Sequence, residues 1–294
     1  MRIPWSLHIT LACLGGLLVA GEPACAAAPW VEERTVGTFL CRAEFSLDEI
    51  HGLLEELRQI QADLTRSLGI PPAKEPIELC LFRSAASYHQ FLARNLPTVP
   101  YRRALYVKSN GRGMVLAYRG PEFDSDLRHE ATHGLLHGAL PIVPLWLDEG
   151  LAEYFEPPRS QRAFDNPHLT SVRRSLRIGV VPSLGNLEDI DKLDEAGPNH
   201  YRDAWAWVHF IFHGSAEAHR ELVRLLSDIR SGKPTGTLSQ RLRLSVPDAE
   251  TRFITHFSHW TDRRENSTTE DGIHKIDGYS WKLFGRGLRR LWTQ

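Results

Sequence analysis

The 294-residue chain is poor in sulfur and carries almost no net charge, with four cysteines, two methionines and a formal charge of −1. A balance this close to neutral gives no electrostatic footprint for nucleic acid, and no such partner is expected. None of the cysteines forms a CxxC pair, which excludes cysteine-based zinc or dithiol redox chemistry. No internal repeat is visible, so solenoids and propellers are excluded as well. Long apolar runs are also missing beyond one, His8 to Ala20, whose 13 residues fall short of the ~20 needed to span a bilayer. Arg2 precedes that run, and the A-x-A pattern Ala24–Cys25–Ala26 follows it. Residues 1–26 therefore read as a secretory signal peptide, and the rest as an exported chain, periplasmic or secreted, with no membrane span.

Cleavage there removes Cys13 and Cys25 and leaves Cys41 and Cys80 in the strand-like runs TFLCRAEF and IELCLF. One disulfide between neighbouring strands and two buried thiols are both open. With 42% apolar and 24% charged residues, the chain can bury a substantial core. The alternation in TVGTFLCRAEF predicts a strand, and Ser46 caps a helix ending at Gly69 before Pro71. A strand at PIELCLFRS, a short helix and a hairpin closed by NGRG follow. From there the pattern is almost wholly helical, broken by a Pro- and Arg-rich stretch over 157–200. Strands with helices, then helices alone, predict an α+β fold. An α/β lobe over 30–140 would be followed by a mainly helical lobe over 141–262 and a tail over 263–294. The tail segment WKLFGRGLRRLW is read as docked, with a weak surface contact left open.

The chemistry concentrates in LRHEATHGLLHGALPIVPLWLDEGLAEYFE, which starts at Leu127. His129 and His133 are four apart on one helix face, and Glu130 beside them can reach a metal-bound water; this is HExxH. His137 lies eight residues after His129, about 80° round the helix, and reads as a supporting or packing residue. Glu149, sixteen beyond His133 on a separate helix, is the better third ligand. Two histidines and a carboxylate leave zinc an open position, the arrangement of catalytic rather than structural sites. Asp148 reads as a solvated or capping residue and Glu156 as a solvated carboxylate. Glu153 is either a surface carboxylate or the acceptor that orients His129.

LWLDEGLAEYFE resembles the WLNEG-x-A segment of aminopeptidase-type gluzincins, in which the glutamate ligates zinc. With its shortened spacing, the region His129–Glu156 is most similar to a group of exported bacterial peptidase-MA-like proteins. The resemblance implies a thermolysin-like architecture with the HExxH helix at the lobe junction. It also implies one zinc per chain held by His129, His133 and Glu149, Glu130 as general base, and a peptide or protein substrate. Gluzincins bind substrate main chain along an edge strand just before the metal helix, which points to Gly113, Met114, Val115 and Leu116 in GMVLAY. The GxMEN signature that anchors a free amine is missing there, so endopeptidase action is expected over aminopeptidase action. Tyr201 falls where that family carries an oxyanion-binding tyrosine, with Asp203 and Ala204 in place of its lysine and glycine; His200 and His209 are nearby alternatives. The competing reading is a zinc-bound, non-hydrolytic domain that binds peptide or cell-wall material.

Overall fold

The structure is a computed structural model describing residues 30–260, except Pro100, Asn110, Leu193, Asp194 and Pro198, together with the pair Ile9–Thr10. The signal-peptide reading, apart from that pair, and the tail over 263–294 lie outside the described residues. The fold is α+β. Five strands form a mixed sheet: β2 (Glu32–Val36), β3 (Phe39–Ala43), β4 (Ile77–Phe82), β5 (Ala104–Ser109) and β6 (Arg112–Tyr118). The two-residue strand β1 (Ile9–Thr10) pairs beside β5, giving the order β1-β5-β6-β4-β3-β2.

The run read as one strand around TVGTFLCRAEF is a hairpin. Gly37, at φ 59°, reverses the chain between β2 and β3, a conformation glycine adopts at no steric cost. Ser46 then opens a 3-10 turn (Leu47–Ile50) leading into α1 (His51–Leu68), which ends at left-handed Gly69. Helix α1 crosses over so that β4 runs parallel to β3, and α2 (Ala85–Asn95) leads to the β5–β6 hairpin. Strand β4 is buried along its whole length. Ile77, Leu79 and Leu81 join one core, while Cys80 and Phe82 join a second with Tyr88, Phe91 and Leu92 of α2. Period-2 alternation thus packs a helix layer on each face of the sheet.

Two helices follow β6: α3 (Phe123–Ala139), which carries the histidines, and α4 (Leu145–Phe155). The Pro- and Arg-rich stretch contains α5 (Leu169–Arg177) and α6 (Leu184–Glu188). Helices α7 (His200–His213), α8 (Ala216–Arg230), α9 (Leu238–Ser245) and α10 (Ala249–His259) complete the described chain. The larger core runs without a break from Phe39 on the sheet to Phe257 on α10. Cys41 is a buried free thiol, pushed up to about 12 by burial, so no Cys41–Cys80 bridge forms. Cys80 is disulfide-bonded.

Candidate metal centre

Three close packings fix the position of α3 and α4. On α3, a Cβ at Gly134 would stand 3.0 Å from the Ile77 side chain, and one at Gly138 would stand 2.6 Å from Ala73. Helix α3 therefore lies tight against β4 at Gly134 and tighter still against the loop before β4 at Gly138. On α4, a Cβ at Gly150 would stand 2.7 Å from the Ala204 carbonyl oxygen of α7. The residue after Glu149 is thus the point where α4 meets α7.

His129 and His133 stand one turn apart on α3, with ring centroids 4.8 Å apart. Glu149 Oε2 on α4 lies 3.7 Å from His129 Nε2 and 4.0 Å from His133 Nε2. One donor atom from each residue falls within 4.8 Å of the other two, and all three side chains are buried. Each imidazole has a carboxylate on its other nitrogen: Asp148 Oδ1 is 2.8 Å from His133 Nδ1, and Glu156 Oε2 is 3.4 Å from His129 Nδ1. With the proton held at Nδ1, each Nε2 presents its lone pair on the Glu149 side, the tautomer a ligand needs.

The chemistry of this donor set fits a divalent cation. His129 Nε2 is buried with no hydrogen-bond partner among the described residues. Burial opposes charge on His129, yet the Glu156 hydrogen bond and the carboxylates of Glu130 and Glu153 override it and hold the ring up at about 10. The field here favours positive charge, which an ion ligated by neutral imidazoles would supply. Burial raises Glu149 to about 7 and Glu130 to about 8, since neither carboxylate has water to solvate it.

The surrounding carboxylates differ from the expectation. Glu153 does not cap His129; its Oε2 lies 2.8 Å from His168 Nε2, just before α5. Glu156, read as solvated, takes the His129 position, and buried Arg128 donates to the Glu156 carbonyl oxygen at 2.5 Å. Asp148 is also buried and bridges His133 to His137, whose Nε2 is 2.7 Å from Asp148 Oδ2. A helix as apolar as LWLDEGLAEYF leaves no solvated face for Asp148, and that signal was present in the sequence. His137 stands behind Asp148, away from the Glu149 side.

The substrate-strand expectation needs correction. Gly113, Met114, Val115 and Leu116 lie on β6, which pairs with β4 on one side and β5 on the other. An interior strand has no main-chain groups left for a substrate. Strand β5, paired with β6 on one side and at Val107 and Lys108 with β1 on the other, reaches the centre through the Tyr106 main-chain N–H, which acts on the Glu130 carboxylate.

Tyr201 sits in the first turn of α7, one turn before Ala204 at the α4 contact. Burial pushes its hydroxyl pKa up, and the charges of Glu149, Glu153 and Glu130 add to the rise. His209 is buried elsewhere. Its Nε2 donates to the Ala163 carbonyl oxygen at 2.8 Å and its Nδ1 accepts from His256 Nε2 at 3.0 Å, so it has no proton to offer the cleft. His200 is buried, and burial alone lowers its pKa, with none of the centre's carboxylates acting on it.

No protein-family model matches this chain. No curated protein matches it either. Among solved structures, it resembles a point mutant of an M1 zinc metallopeptidase from Deinococcus radiodurans, with 17% identity and a TM-score of 0.43. The match covers 79% of this chain and 52% of that one, so the chain spans about half the length of that structure. A likeness at this level carries no weight for chemistry, which rests on the side chains above. Among the described residues, no helix is long and apolar enough to cross a membrane.

Proposed function

We propose that the chain is a zinc-dependent peptidase, with His129, His133 and Glu149 holding one zinc ion. The observation that carries this reading is the convergence of those three buried side chains from two helices, with each histidine backed by a carboxylate. Zinc bound there would supply Lewis acidity, polarising the scissile carbonyl and lowering the pKa of a bound water toward ~7. Glu130 takes the proton of the attacking water and passes it to the leaving amine. Its Oε2 is buried with no hydrogen-bond partner among the described residues, so that oxygen is not committed to a structural contact. Tyr201 donates its hydroxyl proton to the oxyanion; a raised pKa keeps that proton in place at neutral pH.

With residues 1–26 read as a signal peptide that is removed, β1 leaves the outer edge of β5, and substrate main chain pairs there rather than along β6, by the mode in which an extended peptide extends a sheet. The start of β6, GMVLAY, offers no acidic anchor for a free amine, which favours endopeptidase over aminopeptidase action. The thermolysin-like arrangement, with the cleft between the sheet and the α7 helix layer, belongs to the same proposal.

The test is turnover of a quenched-fluorescence peptide library with and without chelator, alongside Glu130→Gln. Chelator should abolish turnover and added zinc restore it. Glu130→Gln should keep one zinc per chain and lose several orders of magnitude in kcat. Zinc-loaded protein that cleaves nothing, or a Glu130→Gln variant as active as the parent, would overturn the assignment and leave a non-hydrolytic zinc domain.

A further inference from the structure

A cavity of about 190 Å³ opens between the C-terminal turns of α3 and the sheet. Tyr106 and Lys108 of β5, His137 of α3, and Lys74 and Glu75 before β4 line it. Residues 106 and 108 share a face of β5, and Gly134 and Gly138 share a stripe of α3. The two glycines also line the cavity, and their missing side chains leave the space. It holds roughly six waters at ~30 Å³ each, or a charged group on a short carbon stem.

Tyr106 is 3% exposed, and its hydroxyl is buried with no hydrogen-bond partner among the described residues. Burial pushes the phenol pKa up, so the oxygen keeps its proton and can donate it. The ring is held in place. It stacks on His137 at 5.5 Å between centroids, and a Cβ at Gly113 would stand 3.0 Å from its oxygen. A donor fixed in this way without an acceptor costs stability, which an acceptor from outside would restore.

The charges beside it are mostly of one sign. Lys108 Nζ donates to the His137 carbonyl oxygen at 2.7 Å, which leaves two ammonium hydrogens. Neither Lys108 nor Lys74 has an ion-pair partner among the described residues, and the lining holds one carboxylate, exposed Glu75. The cavity is distinct from the metal centre. His137 stands between the two, its Nε2 2.7 Å from Asp148 Oδ2, while Asp148 Oδ1 holds His133.

We propose that this cavity is a binding site for a small carboxylate, which accepts from the Tyr106 hydroxyl and pairs with the Lys108 ammonium. Exposed Lys74 adds attraction at the rim. The carboxylate belongs either to a free short-chain acid or to the C-terminus of a peptide. The site goes beyond the peptidase reading and does not rest on it, since neither a metal ligand nor the general base lines the cavity.

The test follows the Gly111 and Gly113 amide shifts of the isotope-labelled full chain by NMR during titration. Acetohydroxamate is kept saturating, so that zinc at the metal centre is already chelated and a carboxylate there is not counted. Propionate should shift both amides saturably, while propionamide, similar in shape but uncharged, should not. Acetyl-alanine then tells the sources apart: tighter binding than propionate assigns the site to peptide ends, and weaker binding to free acids. Tyr106→Phe deletes only the donor and should weaken propionate about 10–100-fold, the worth of a hydrogen bond to a charged group. Lys108→Gln should weaken it as well. Without ligand, Tyr106→Phe should melt no lower than the parent, because no internal bond is lost. A lower midpoint would show that the hydroxyl already has a partner, and would overturn the proposal. Equal shifts with propionamide, no shift with propionate, or an affinity untouched by both substitutions would overturn it too. Should the protein bind no zinc, the peptidase reading falls and these shifts are still expected.

Discussion

Each histidine of the centre has a carboxylate partner of its own, and those partners give separable tests. Asp148 holds Nδ1 of His133 without facing the ion, so Asp148→Asn should keep one zinc at saturation and weaken zinc affinity about 10–100-fold, as loss of an outer carboxylate does. Competition with a chromogenic chelator reads this directly. An unchanged affinity would show that the bridge only packs the helices. Tyr201→Phe keeps the ring and deletes the donor, and should lower kcat about 10²–10³-fold with KM little changed. Unchanged kcat would remove the hydroxyl from the mechanism. That His129 and His133 stand side by side was legible because i and i+4 on a helix share a face, whatever surrounds them. The outer carboxylates were not. Which of Glu153 and Glu156 meets His129 depends on how α4 is rotated against α3, and His168, which claims Glu153, arrives from a segment with no regular pattern.

At the scale of the elements, the contact between α4 and α7 decides whether Glu149 and Tyr201 face one another. Gly150 makes that approach possible, with the Ala204 carbonyl oxygen 2.7 Å and Val208 Cγ2 2.8 Å from the position a Cβ would take. Gly150→Ala would gain about 1 kcal/mol of helix propensity. The clash is with main chain, which cannot rotate away, and overpacking costs about 1–3 kcal/mol. The net effect should be destabilising, and a lowered denaturant midpoint with weaker zinc binding would register it. A raised midpoint would show that the helices can part without cost. Helix positions were legible throughout α1, α3, α4 and α7, since each has strong spacing or a clear stop. Strand neighbours were not, because the order β5-β6-β4 depends on a crossover that no local pattern encodes. That is why β6, which directly precedes the metal helix, reads as the edge strand.

At the scale of the molecule, a cluster of imidazoles, His209 buried and His213 and His256 half-buried, ties α7 to α10. His209, His213 and His256 are all held neutral by burial: His209 at about 4, His256 at about 2, and His213 well below its ordinary value. Unfolded, each titrates near 6.5, so the unfolded chain binds more protons below that value. Their contribution is complete above about pH 6.5 and drains as pH falls toward about 4 for His209 and further for His256. The slope is up to about 1.4 kcal/mol per pH unit for each ring. Denaturant melts at pH 7, 5.5 and 4.5 should show this decline. His256→Gln, which can still donate to His209 Nδ1, should flatten it; an unflattened curve would place the acid sensitivity elsewhere. The Asp148 bridge also has a consequence away from the centre. It runs from His133 to His137, whose ring stacks on Tyr106 at 5.5 Å and whose carbonyl accepts from Lys108 Nζ at 2.7 Å. Tyr106 and Lys108 belong to β5, so an ion that stills His133 also stills the strand on which a peptide would lie. Deuterium uptake along residues 104–109 should slow when zinc is added, which would make the ion a brace for the docking strand as well as a reagent.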